Sequence, residues 1–132
     1  ISLVLNAGVG GAFVGGGAGL LDICVAESET DGDFGICLGE DVRPFSLYPP
    51  FRHVVPPATV RMVSEALCER GLIPVRGPFV TVNAVSATAR RGANLGRRHR
   101  AVLENMEGAS VARACRHHDV PFAAIRAVSN MV

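Results

Sequence analysis

Two short stretches carry the residue types that chemistry needs. One apolar run closes in Leu103-Glu104-Asn105-Met106-Glu107-Gly108, and a second, Ile125-Arg126-Ala127-Val128, closes in Ser129-Asn130. A carboxylate accepts two hydroxyl hydrogen bonds, and a primary amide both donates and accepts, so Glu107 with Asn130 suits a sugar bearing a heterocycle. Glu107 also opens a helical pattern, where the positive end of the helix dipole favours an anion.

Other stretches offer weaker chemistry. The glycines of Asn6-Ala7-Gly8-Val9-Gly10-Gly11 allow a backbone to approach a ligand closely, and an ordinary tight turn explains them equally well. A dinucleotide fingerprint is excluded, because the third glycine position counted from Gly8 is Phe13. Glu27, Glu29, Asp31 and Asp33 are arranged as ligands of a hard cation would be, but a solvated acidic loop is the commoner meaning. Arg90, Arg91, Arg97, Arg98, His99 and Arg100 form a basic cluster without interleaved aromatics. That pattern reads as solvated surface before nucleic-acid contact, with recognition of a small anionic group as a third option. Cys115 and His118 are one helical turn apart, yet cations near a helix C-terminus are favoured without any metal, and no metal or cofactor is expected.

The elements that must position these residues follow from hydrophobic periodicity. Ser2 to Leu5 reads as a buried strand breaking into the Asn6–Gly11 loop, and Leu20 to Ser28 as another strand. Gly35 to Pro57 is irregular and Pro-rich, the pattern of a flap or a subunit contact. Thr59 to Arg70 is an amphipathic helix with Val60, Val63 and Leu67 on one face, stopped by Gly71. Leu72 to Val82 is a strand running into Asn83, Ala84, Val85 and Ser86. Ala101 to Met106 is the strand that delivers Glu107, a helix covers Gly108 to His118, and a last strand restarts at Val120-Pro121. A right-handed unit of strand, helix and strand would make these last two strands parallel and bring Glu107 and Ser129-Asn130 to one edge. In open α/β sheets that edge binds ligands. The expected architecture is a three-layer α/β/α domain with a mostly parallel or mixed central sheet.

Composition narrows the partners. With 132 residues, 48% of them apolar, the chain suffices for one core, and a net charge of +1 gives no field that would draw nucleic acid or a membrane surface. Every basic residue is Arg, so a Walker A loop with its Lys is absent. The first 21 residues are uncharged, but seven of them are Gly, which argues against a spanning helix. Cys24, Cys37, Cys68 and Cys115 are scattered, as in a reduced, cytoplasmic protein with mostly buried thiols. The chain starts at Ile1 and ends on an apolar run, and both ends read as cuts inside a single, incomplete domain spanning 1–132.

The same stretches carry a resemblance. Asn6-Ala7-Gly8-Val9-Gly10-Gly11-Ala12-Phe13, Asn105-Met106-Glu107-Gly108-Ala109 and Ile125-Arg126-Ala127-Val128-Ser129-Asn130 resemble the purine nucleoside phosphorylase and nucleosidase superfamily, and within it the futalosine hydrolases. Gly77 to Asn83 and Ala26 to Gly32 extend the likeness over essentially the whole chain. The resemblance implies a phosphorylase/hydrolase-like fold truncated at both ends, and an N-glycosidase that releases hypoxanthine from futalosine in menaquinone biosynthesis. It implies Glu107 and Asn130 as catalytic residues, Glu107 on the ribose hydroxyls and Asn130 on the purine N7 edge. Ala7, Gly8, Val9, Asn83, Val85, Asn105, Met106, Glu107 and Ser129 would contact substrate, with Met106 under the sugar. Adenine-releasing members carry Asp at the position of Asn130, and an amide suits the O6 and N7 acceptors of a 6-oxopurine. Bacterial hexameric phosphorylases of the superfamily carry Arg and Ser where Asn6 and Val9 stand here, which favours water as nucleophile. The resemblance also implies that the water-activating acid precedes Ile1, that the isolated chain is nearly inactive, and that the protein is a homodimer or larger. A methylthioadenosine-type nucleosidase or phosphorylase, and a noncatalytic nucleoside-binding domain, remain as alternatives.

Overall fold

The computed structural model describes residues 1–132. The elements run β1 (Val4–Ala12), β2 (Ile23–Asp31), β3 (Ile36–Leu38), β4 (Asp41–Arg43), β5 (Arg52–Val54), α1 (Pro57–Cys68), β6 (Val75–Thr81), α2 (Ala89–His99), β7 (Leu103–Asn105), α3 (Gly108–His117) and β8 (Phe122–Met131). Six strands form one mixed sheet in the order β5-β2-β6-β7-β1-β8, and β8 curls back to pair with β2. β3 and β4 make a separate hairpin.

Alternation along β6 shows why the sheet has helices on both sides. Phe79 belongs to the large core with Val60 and Val63 of α1 and Ala109, Ala112 and Cys115 of α3. The next residue, Val80, faces the other way, into a small cluster with Phe13, Leu95 of α2 and Ala101. Successive side chains of a strand point to opposite faces, so burying both requires a layer on each. The α/β/α expectation therefore holds, with the mixed form of the sheet.

The final strand, helix and strand do not form the parallel unit expected. β1 intervenes, antiparallel to β7 and parallel to β8. Periodicity identifies strands but carries no information about a third strand inserted from elsewhere in the chain. Nor is Asn6–Gly11 a loop: those residues lie inside β1. They are glycine-rich because the neighbouring strands come close. A Cβ on Gly10 would stand 2.6 Å from the Glu104 carbonyl oxygen, and one on Gly11 would stand 2.9 Å from Asn130 Nδ2. A bulge between Gly10 and Gly11 shifts the register with β8 at this point.

The acidic stretch is likewise not a solvated loop. It belongs largely to β2, where Glu29 is fully buried, while Asp31 pairs with Arg113 and Asp33 with Arg91 at 3.1 Å. The basic cluster lies along a helix with Arg90, Arg97, Arg98 and Arg100 exposed, so the solvated-surface reading holds for those four. Thr88 caps α2 by accepting a hydrogen bond from Arg91 N at 3.2 Å. Gly92 and Gly96 conceal that helix in the sequence, being poor helix formers, yet their lack of a Cβ lets α2 press against Val132 and Phe13. The span from Gly35 to Pro57 contains three short strands. All four cysteines are free, but Cys37 and Cys68 are exposed, so the expectation of mostly buried thiols holds only for Cys24 and Cys115. Burial pushes the Cys24 thiol up to about 11, with Asp22 adding to the effect. No helix is long and apolar enough to cross a membrane.

Candidate functional site

Gly11 is the point at which the two opening stretches meet. In β1 it lies opposite Glu104 of β7 on one side and opposite Asn130 of β8 on the other. Directly opposed residues in a sheet share a face, so the Glu104 and Asn130 side chains flank a residue that has none. The space left open is a cavity of about 290 Å³, close to the lower end of the range for small-molecule sites. Val9, Val85, Asn105, Met106, Glu107, Ser129 and Asn130 line it, together with Gly10, Gly11, Val82, Ser86 and Glu104. Convergence of Glu107 and Asn130 thus arises through β1 as a shared neighbour, not through parallel strands.

Three residues expected at the site lie elsewhere. Ala7 pairs with Ile125 deeper in the sheet, and Gly8 lies against the Arg126 guanidinium. Asn83 is turned toward Asp33, to which its backbone N–H and its side-chain Nδ2 both donate, the latter at 2.9 Å. A larger cavity of about 550 Å³, between Gly15-Gly16 and α2, has no carboxylate, amide or hydroxyl side chain in its wall and offers less chemistry.

Under Glu107 lies a polar network that the apolar runs conceal. Arg126, with no exposed surface, donates through Nη2 to Glu107 Oε2 at 3.2 Å and through Nη1 to the Asn6 carbonyl at 2.8 Å. The Glu107 side chain is 62% exposed and lines the cavity. Asn105, rather than Glu107, caps α3: its Oδ1 accepts from Glu107 N at 3.1 Å and Gly108 N at 2.7 Å. Its Nδ2 donates to Glu29 Oε1 at 3.0 Å, and the Thr81 hydroxyl donates to Glu29 Oε2 at 3.0 Å while accepting from Ala109 N at 2.7 Å. The order of contact is therefore Glu29, Asn105, Arg126, Glu107. Arg126 was visible in sequence as a charge inside a buried run, a placement that demands a partner.

At the other wall the Ser129 hydroxyl donates to Asn130 Oδ1 at 2.9 Å. That contact engages the amide oxygen, while Nδ2, over Gly11, donates at 3.5 Å to the Met131 carbonyl and keeps its second hydrogen to give. Glu104 is 4% exposed, and its Oε1 and Oε2 accept from Ser86 N at 3.0 Å and Ser86 Oγ at 2.7 Å.

Glu29 makes the network sensitive to pH. Burial pushes its carboxyl up from 4.5 to about 7, against the opposing pull of Thr81, Arg126 and Asn105. A raised carboxylate pKa means that the folded state holds a proton which the unfolded state has released. The associated stabilisation is complete below about pH 4.5 and is lost as pH rises through about 7. At about 1.4 kcal/mol per unit, the swing is about 3 kcal/mol. Thermal unfolding followed between about pH 5 and about pH 8 should show a falling midpoint, and Glu29→Gln should flatten that slope. An unchanged slope in the variant would place the titration elsewhere.

Comparison with known proteins adds an independent finding. A family model described as the phosphorylase superfamily matches residues 1–132. A futalosine hydrolase of Streptomyces coelicolor is 36% identical over 98% of this chain and 54% of its own length. One from Acidothermus cellulolyticus is 34% identical over 99% of this chain and 54% of its own length. The chain therefore spans about half the length of the curated relatives it matches. Among solved structures, a futalosine hydrolase mutant of Helicobacter pylori superposes with a TM-score of 0.84 at 22% identity, covering 99% of this chain and 58% of that one. A 5′-methylthioadenosine/S-adenosylhomocysteine nucleosidase of the same organism gives 0.82 at 21% identity, covering 98% and 56%. At those identities the structural likeness speaks for the fold.

Proposed function

The chain belongs to the phosphorylase superfamily, and on that premise we propose that the protein hydrolyses the N-glycosidic bond of futalosine and releases hypoxanthine. The observation that carries this reading is the single cavity in which Met106 and Glu107 face Ser129 and Asn130 across Gly10-Gly11. The curated relatives that bear the name futalosine hydrolase support the choice of substrate.

The chemistry asks for these groups in these places. The Glu107 carboxylate accepts the two ribose hydroxyls, and the half-exposed Met106 side chain forms the floor beneath the sugar. As the bond from the sugar carbon to the base nitrogen breaks, positive charge develops on the ribose, and the adjacent carboxylate stabilises it. The bonding electrons pass to the purine, where Asn130 Nδ2, exchanging its long 3.5 Å contact with the Met131 carbonyl for the base, donates to the N7 and O6 edge and stabilises the leaving group. Water then bonds to the sugar carbon and gives up one proton while the purine anion takes one up, so the products are the free hydroxyl at the sugar carbon and neutral hypoxanthine.

Water is favoured over phosphate by the cavity wall. It carries two carboxylates and no cationic side chain, and Arg126, the guanidinium in contact with Glu107, is already paired with it. A phosphate placed there would face two carboxylates and no counter-charge, a repulsive setting for an anion. Accordingly, hypoxanthine release by the intact protein is expected to proceed in phosphate-free buffer at an unchanged rate. A strict phosphate requirement would make the protein a phosphorylase.

The reading extends to setting. Consumption of futalosine assigns the protein to menaquinone biosynthesis, and four free cysteines suit the reducing cytoplasm. Exposed Leu38, Leu47, Tyr48 and Val54, on the segment around the β3-β4 hairpin and β5, support assembly as a homodimer or larger oligomer.

A further inference from the structure

We propose that Glu104 selects the base, accepting the N1–H of a 6-oxopurine and thereby excluding adenine nucleosides. The inference rests on the nucleosidase reading above and assigns the specificity of that site to a residue outside the Glu107 and Asn130 pair.

Asn130 alone does not settle which purine is bound. An amide can donate both hydrogens to N7 and O6 of a 6-oxopurine, and it can equally pair with N7 and the 6-amino group of adenine if it rotates. The Ser129 hydrogen bond to Oδ1 opposes that rotation by about the strength of one neutral hydrogen bond. The two purines differ more sharply at N1, which carries a hydrogen in a 6-oxopurine and a lone pair in adenine. A group that only accepts, placed at that edge, separates them.

Glu104 is such a group in such a place. It and Asn130 are the two cross-strand neighbours of Gly11, so a flat base lying over the glycine has the amide at one end and the carboxylate at the other. Two strand spacings, roughly 10 Å between the flanking backbones, leave room for the base between them. Glu104 has no salt-bridge partner and is almost fully buried. It lies opposite Val80 of β6, the segment after β6 adds Val82, Val85 and Ser86 to the cavity wall, and Ser86 alone gives it hydrogen bonds, one to each oxygen. Each oxygen retains a lone pair. Burying a carboxylate without a cation is costly unless further donors reach it, and N1–H supplies one. Ser86 fixes the direction in which those lone pairs point. With adenine the N1 lone pair would oppose the carboxylate, leaving two buried acceptors unpaired.

The test measures kcat/KM of the intact protein for inosine, 1-methylinosine and adenosine, in wild type and in Glu104→Gln. Wild type should prefer inosine over both others by on the order of 10- to 100-fold, since 1-methylinosine lacks the N1 hydrogen while keeping O6 and N7. In Glu104→Gln, whose amide can turn a donor toward N1, the inosine-to-adenosine ratio should fall by on the order of 10-fold or more. A ratio of two substrates on one preparation is independent of the fraction that folds, and the 1-methylinosine arm needs no variant. Equal turnover of inosine and 1-methylinosine, or an unchanged ratio in Glu104→Gln, overturns the role of Glu104 and leaves the nucleosidase reading standing. Failure of wild type to cleave any of these nucleosides or futalosine overturns both.

Discussion

Glu107→Gln should lower kcat/KM for nucleoside hydrolysis by on the order of 10³-fold, with most of the loss in kcat. The substitution keeps the shape and can still accept from Arg126 Nη2, so the polar network beneath α3 survives. What disappears is the negative charge facing the ribose. Ground-state binding of two hydroxyls changes little, because an amide oxygen accepts too, whereas the cationic transition state loses its counter-charge. That is why the effect belongs in kcat rather than KM. Glu107→Ala should be at least as damaging and should also destabilise the fold, because Arg126 is wholly buried and would lose its only anionic partner in contact. Steady-state kinetics beside a thermal melt separate the two effects. Activity within a few-fold of wild type in Glu107→Gln would remove Glu107 from the chemistry.

Asn130→Asp should invert the effect of the base. An ionised Asp has no hydrogen for N7 or O6, so turnover of a 6-oxopurine nucleoside should fall by on the order of 10²-fold. Adenine nucleosides should suffer less, because their 6-amino group can donate to the carboxylate. Ser129, which now donates to the amide oxygen, would donate to the new carboxylate and hold it in place. Parallel assays on inosine and adenosine give the outcome as a ratio, and equal losses on both would mean that Asn130 does not face the purine edge.

How much of this was legible in the sequence varies with the kind of signal. Glu107, Ser129 and Asn130 stood out because each ends an apolar run, and burial ends where chemistry can begin, whereas Met106 was marked by the family resemblance alone. The helices α1 and α3 were legible from apolar spacing. Helix α2 was not, because its buried face is made of glycines beside a single aliphatic side chain, Leu95, and periodicity needs several. β1 was read as half strand and half loop for the same reason: glycines in a strand look like a turn until the strands pressing on them are known. Glu29 and Glu104 were missed because a buried carboxylate is indistinguishable in sequence from a solvated one; its partners, Thr81 and Asn105 for one and Ser86 for the other, lie far along the chain. The pairing of β7 and β8 through β1 joins residues separated by most of the chain, and no local pattern encodes it.

The most direct test is a competition in which the intact protein meets futalosine and methylthioadenosine together in phosphate-free buffer, with hypoxanthine and adenine quantified as they appear. Preferential release of hypoxanthine, by on the order of 10²-fold and abolished by Glu107→Gln, is the expected result. Preferential release of adenine, or no release of either base, would contradict the assignment of this cavity to futalosine hydrolysis.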